Sequence, residues 1–97
     1  MLKISIMELL GKLPTLRLEG QISGPWVEAL RKVCDGELTT HEGLILDLTD
    51  VSFVDRDGIM FLTTLPSRQV VLVNYQPFVA ELLKSAGFNP KAKPKEA

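Results

Sequence analysis

The sequence predicts an α/β domain: a mixed sheet of about four strands with helices packed on it. Three observations lead there. Two segments near the start alternate apolar and polar residues, as a strand with one buried face does. Two later segments, Leu44 to Leu48 and Val70 to Val73, are apolar almost throughout, the pattern of strands in the middle of a parallel sheet. Between and after these runs lie three stretches of helical spacing, so the elements follow in the order β, β, α, β, α, β, α.

The first strand places Leu2, Ile4 and Ile6 against Lys3 and Ser5. Gly11-Lys12 offers a turn, and beyond Pro14 a second alternation sets Leu16, Leu18 and Ile22 against Thr15, Arg17, Glu19 and Gln21. Two alternating strands with a short Gly-containing connection predict a hairpin, its polar face turned to solvent or to another chain. At Ser23-Gly24-Pro25 the period changes. Ser23 or Gly24 suits a helix cap, and Pro25 suits the first helical position, where its missing N–H costs nothing. Trp26, Ala29, Leu30, Val33 and Cys34 then share one helical face, with Trp26 expected as a core anchor. The helix is expected to end near Asp35-Gly36, leaving Glu37 to Glu42 as a polar loop.

The strand Leu44 to Leu48 is expected to be buried on both faces, with Asp47 as its one oddity. The chain next passes an acidic turn, Asp55-Arg56-Asp57-Gly58, into residues 55–65. That segment is long enough for a right-handed crossover helix to the strand at Val70. Its apolar residues, Ile59, Met60, Phe61, Leu62 and Leu65, go nearly all round, so either the helix is buried or part of it faces a partner. Gln76-Pro77 opens a third helix with Phe78, Val79, Leu82, Leu83 and Ala86 as its inner face. Gly87 suits a left-handed cap, with Phe88 folding back behind it. Residues 1–88 are read as one domain and 89–97 as a flexible Lys- and Pro-rich tail.

Composition narrows the function. The net charge of −1, from 11 basic and 12 acidic residues, argues against a nucleic-acid binder, which carries a basic surplus on one face. The tail holds +2 through Lys91, Lys93 and Lys95 against Glu96, so the body is acidic, with Asp47, Asp50, Asp55 and Asp57 concentrated in one stretch. The lone Cys34 forms no internal disulfide, and nothing at the N-terminus reads as a signal peptide. The expected setting is therefore reducing and cytoplasmic. No apolar run approaches the ~18 residues of a membrane span. Ninety-seven residues leave a modest stability margin, so a partner or a homodimer contact matters to such a chain.

At the central stretch the sequence resembles the STAS domains, typified by bacterial anti-sigma-factor antagonists. Leu46-Asp47-Leu48, Val51-Ser52-Phe53-Val54-Asp55 and Arg56-Asp57-Gly58-Ile59 stand where that family carries a strand ending in Asp-Leu, a Val-x-Phe-x-Asp stretch and a turn of the form Asp-Ser-Ser-Gly-Leu. The flanks, Leu18 to Ile22 with Gly24-Pro25, Val70 to Asn74 and Phe78 to Gly87, extend the likeness over about residues 15–88. The resemblance implies a non-enzymatic protein-interaction module that binds an anti-sigma-factor-like serine kinase or related regulator. It places the contact at Asp55, Arg56, Asp57, Gly58, Met60 and Thr64. In the family, phosphorylation of the second serine of the turn breaks the complex. Here that position is Asp57 and the preceding one Arg56, so the turn holds no hydroxyl. A fixed charge of −1 stands where a phosphoserine would carry about −1.5 to −2. The alternative implied by the same likeness is an accessory subunit of a lipid-transport or stress-signalling complex.

Other readings are weaker. Asp55 and Asp57 also suit a helix start through capping and the helix dipole alone. The four aspartates lack the spacing of an EF-hand loop and a receiver-type lysine, so no metal ligands and no cofactor are assigned. Cys34 and His41 lack the third residue of a nucleophilic site and read as a core hydrophobe and a loop residue. Thr49, Ser52, Thr63 and Thr64 are hydroxyls near the turn for which capping and packing are the expected roles.

Overall fold

Alternation in the first forty residues and proline at two helix starts translate directly into elements. The computed structural model describes residues 1–8, 13–66 and 68–87. Its elements are β1 (Leu2–Met7), β2 (Thr15–Ile22), α1 (Pro25–Thr40), β3 (Leu44–Val54), α2 (Arg56–Thr64), β4 (Val70–Val73) and α3 (Pro77–Ser85). The sheet order is β1-β2-β3-β4. β1 pairs antiparallel with β2, and β2–β3 and β3–β4 are parallel. The Gly11-Lys12 turn, the Phe88 contact and the tail 89–97 lie outside the described residues.

The two parallel pairs are joined by α1 and α2. Crossovers of this kind are right-handed. Two of them stepping the same way across a sheet put both helices on one face, and the core sits under that face. Leu16, Leu18 and Ile22 of β2, Leu44, Leu46 and Leu48 of β3, and Leu72 of β4 point into it. Val27, Leu30 and Cys34 of α1, Ile59, Phe61 and Leu62 of α2, and Val79 and Leu83 of α3 meet them there.

No described element covers the other face of the sheet, which corrects the expectation for β3 and β4. These strands are buried on one side only: Ile45 and Asp47 are half-buried, and Val71 is 41% exposed. The outward apolar residues Ile45, Val71 and Val73 are β-branched, a strand preference that holds without full burial. Ion pairs cross this open face from Lys3 to Glu19 (3.8 Å), from Arg17 to Glu19 (3.6 Å) and from Arg17 to Asp50 (2.6 Å). Asp47 lies among them and accepts hydrogen bonds from the Thr49 amide and hydroxyl and, at 3.5 Å, from Asn74. Partial burial pushes its carboxyl up. The Thr49 and Asn74 donors and the nearby Arg17 guanidinium overcome that and hold it below the ordinary carboxylate range.

α1 also departs from expectation. It does not stop at Gly36 but runs on to Thr40, with His41 as its C-cap residue. Leu38 packs against the core, and this offsets the ~1 kcal/mol that a mid-helix glycine costs. The inward residue near the start of α1 is Val27, whereas Trp26 is 38% exposed. Likewise Phe78 (39%) and Leu82 (38%) lie outside the core, Ala86 is exposed, and only Val79 and Leu83 of α3 are buried. In β1 only Leu2 is buried, Ile4 packs partly buried against the core, and Ile6 is exposed. Gly87 takes φ 83 at the end of α3, as a left-handed cap requires.

Gly36→Ala stabilises the chain by about 0.5–1 kcal/mol in urea unfolding, because a Cβ there meets nothing within 4 Å and the residue is already helical. Asp47 generates a pH prediction. A depressed carboxyl contributes stability above its unfolded pKa of ~3.9 and loses it as pH falls through the lower folded value. The stabilities of wild type and Asp47→Asn therefore differ at pH 7 and converge as pH falls below the ordinary carboxylate range through the lower folded value. Parallel curves over that range would remove the carboxylate from the account.

Candidate protein-docking site

The turn between β3 and α2 is built by Asp55. Its backbone N–H donates to the Ile22 carbonyl (3.1 Å), which brings the end of β3 beside the end of β2. Its side chain caps α2 by accepting from the Gly58 amide at Oδ1 (2.7 Å). Oδ2 accepts from the Gly24 amide at the start of α1 (2.9 Å). One carboxylate thus satisfies donors at two helix N-termini, where backbone N–H groups lack helical partners and the dipole favours negative charge. Gly24 serves this arrangement with φ 55, a backbone conformation that disfavours side chains.

Gly58 is buried. A Cβ on it would stand 2.5 Å from the Ile22 carbonyl oxygen and 2.7 Å from Val54 Cγ1. Only glycine lets the first turn of α2 lie this close to the ends of β2 and β3. The flush seat sets how far the turn projects. Arg56 and Asp57, between the two anchors, are both exposed.

From Asp57 the exposed stripe of α2 continues through Met60, 54% exposed, to Thr64. These residues form one wall of a groove of about 330 Å³ against Val27, Glu28 and Arg31 of α1. The Arg31 guanidinium lies 5.0 Å from the centroid of the Phe61 ring at the groove floor, in cation–π range, and its Nε donates to Glu28 (3.3 Å). Met60 also borders a second groove, of about 450 Å³, where Ile59 faces Leu82 and Ala86 of α3. The exposed methionine is therefore a crest between two clefts, and its flexible thioether suits packing against varied surfaces.

With the geometry established, comparison with known proteins gives the family. A family model described as the STAS domain matches residues 6–96. The chain belongs to the STAS domain family. No curated protein matches it significantly. Among solved structures it is similar to the anti-sigma factor antagonist SpoIIAA in its unphosphorylated form: 17% identity, TM-score 0.76, covering 97% of this chain and 89% of that one. It is also similar to an uncharacterized DUF3478-family protein of SpoIIAA-like fold from Shewanella loihica PV-4: 11% identity, TM-score 0.63, covering 99% and 86%. At such identities the likeness is one of fold.

Within this STAS domain the six residues expected at a contact surface fall in one region but have different surroundings. Arg56, Asp57, Met60 and Thr64 face outward, whereas Gly58 is buried and Asp55 has both carboxylate oxygens engaged by backbone. The four aspartates do not form one cluster. Asp47 and Asp50 lie on the open sheet face near Arg17, and Asp55 and Asp57 lie at α2. The four nearby hydroxyls all donate to protein acceptors: Thr49 to Asp47, Ser52 to Gly20, Thr63 to Met60 and Thr64 to Phe61. Cys34 is fully buried, and burial, with the charges of Asp35 and Glu37, pushes its thiol up to about 12. It is a packing residue without nucleophilic character. Sequence reasoning missed the capping role of Asp55 toward α1 and the groove contributed by Glu28 and Arg31. The i, i+3 spacing of those two on α1 was the available signal.

Asp55→Ala costs about 1–3 kcal/mol in chemical denaturation, through a lost cap and a Gly24 amide without its acceptor. Gly58→Ala is destabilising too, against the direction of helix propensity. If Asp55→Ala lost no more than Asp57→Ala, the two-helix role of Asp55 would be wrong.

Proposed function

We propose that this STAS domain is a non-enzymatic docking module. It receives an anti-sigma-factor-like serine kinase or a related regulator on the first turn of α2 and the adjoining α1–α2 groove. The observation that carries this reading is the projection of Arg56 and Asp57 from a turn whose other two residues are locked into the fold, next to the exposed Met60. Such a turn presents charge at a fixed height without itself being needed for packing. Asp57 adds a permanent negative charge at the start of α2, where the helix dipole stabilises it. That charge is weaker than a phosphoserine's, and Arg56 beside it offsets part of it. Asp57 is therefore a weak, permanent imitation of the modified state, and the turn offers no hydroxyl for a serine kinase to switch.

The uncovered sheet face, with Met7 55% and Val71 41% exposed, favours a second reading, a STAS-type accessory subunit of a larger lipid-transport or stress-signalling assembly. The two readings differ in which side of the molecule the partner covers.

A photo-crosslinkable residue at position 60 is expected to capture the partner from extracts of the source cells, and one at position 71 is not. The double variant Arg56→Glu, Asp57→Lys is expected to weaken that partner's binding about tenfold or more, ~1.4 kcal/mol or above. If every recovered partner stayed bound to the double variant and crosslinked from position 71, the docking surface would be the sheet face instead. Incubated with ATP and the partner, the wild-type turn gains no phosphate, whereas Asp57→Ser supplies the hydroxyl that a kinase partner requires.

A further inference from the structure

The groove between α2 and α3 has no part in the docking reading beyond its border with Met60. Asp55 and Arg56 line it from the start of α2, and Ser85 and Ala86 line it from the end of α3. Its apolar surface comes from Ile59, Met60, Leu82 and Ala86, of which Met60, Leu82 and Ala86 are exposed. An apolar cleft of this kind is favoured to be covered.

Three observations indicate what covers it. The first is where the described chain ends. Gly87 follows Ala86 at the edge of the groove, and its N–H donates to the Lys84 carbonyl (3.0 Å) with φ 83, a left-handed close that turns the chain off the axis of α3. The second is length. The ten residues from Phe88 to Ala97 can span about 33 Å when extended, whereas the nine residues of α2 are ~14 Å long. The third is chemistry. The segment offers one aromatic side chain, Phe88, and then Lys91, Lys93 and Lys95, with Pro90 and Pro94 favouring an extended backbone. It carries +2 of a net charge of −1, which leaves the rest of the chain at −3. Asp57, one residue past the groove-lining Arg56, is exposed and forms no ion pair among the described residues.

We propose that the chain's own residues 88–97 occupy the α2–α3 groove, with Phe88 on Leu82 and Met60 and the lysines drawn to Asp57. A surface ion pair alone contributes little, so the apolar contact of Phe88 supplies the hold and the charges set the direction of the segment. The tether makes a weak contact sufficient, because a joined segment meets its groove at a high effective concentration. Arg56 borders the groove and repels lysine, so the charged part of the segment passes it toward Asp57. One consequence rests on the docking reading: the segment shields Met60 and Asp57, and a partner at the α2 turn has to displace it. The contact itself involves this chain alone, so its failure leaves the docking reading standing.

The test is paramagnetic broadening of amide NMR signals in the full chain carrying a nitroxide on Ala92→Cys. Cys34, buried with its thiol pushed up to about 12, escapes the label. Broadening at Asp57 and Met60 is expected to exceed that at Val71, on the opposite face of the sheet, about twofold or more. Adding Phe88→Ser, or Lys91→Glu with Lys93→Glu, is expected to reduce it about twofold or more in each case. These substitutions lie outside the described elements, and circular dichroism verifies that the fold persists. Broadening at Met60 no stronger than at Val71 would overturn the contact, as would broadening that either variant leaves unchanged, the result for a segment that is merely tethered. Broadening seen only when labelled chain is mixed with unlabelled, isotope-enriched chain would assign the groove to a second copy and overturn it too.

Discussion

The carboxylate of Asp55 is the interaction on which the junction of α1, α2 and β2 depends. α1 and α2 are separate crossovers that begin side by side, and each begins with backbone N–H groups that lack helical acceptors. Asp55 answers one from each, while its own amide holds the end of β2. Three elements are thereby fixed at a single residue. The groove between Arg31 and Met60 owes its position to that junction, because the relative placement of its two walls is set where the helices start.

The core explains why the rest can be so thin. The described residues form four strands and three helices that bury one face of the sheet and leave the other without a described helix. All the large aliphatic residues of β2 and β3 that point inward are fully covered, and the open face relies on ion pairs that contribute little individually. The uncovered side follows from topology. β2, β3 and β4 are joined by two crossovers of one hand, which put α1 and α2 on the same face and leave no described helix on the other.

Much of this was readable in the sequence, and the failures have physical causes. Alternation located β1 and β2, proline marked the starts of α1 and α3, and the acidic turn marked α2. Spacing alone did not separate Trp26 from Val27, because both neighbours are apolar and the phase of a helix is set by what it packs against. Tyr75, fully buried between Asn74 and Gln76, gave no signal, since it lies in a connection and not in a periodic segment. Gly36 looked like a stop because its helix penalty is local, whereas the contact of Leu38 with the core that outweighs it is tertiary. At the candidate site, the role of Asp55 toward α2 followed from position, but its bond to Gly24, 31 residues earlier, is a product of the fold.

The seating of Gly58 has a consequence for how such a domain changes over time. Positions 55 and 58 carry the architecture of the turn, and positions 56 and 57 carry its chemistry. A lineage can exchange serine, aspartate or arginine at the two outer positions by single substitutions without rebuilding the frame beneath them. The separation makes the turn an interchangeable label on a fixed mount. A regulated module can then become a constitutive one, or acquire a new partner, with little loss of foldability on the way.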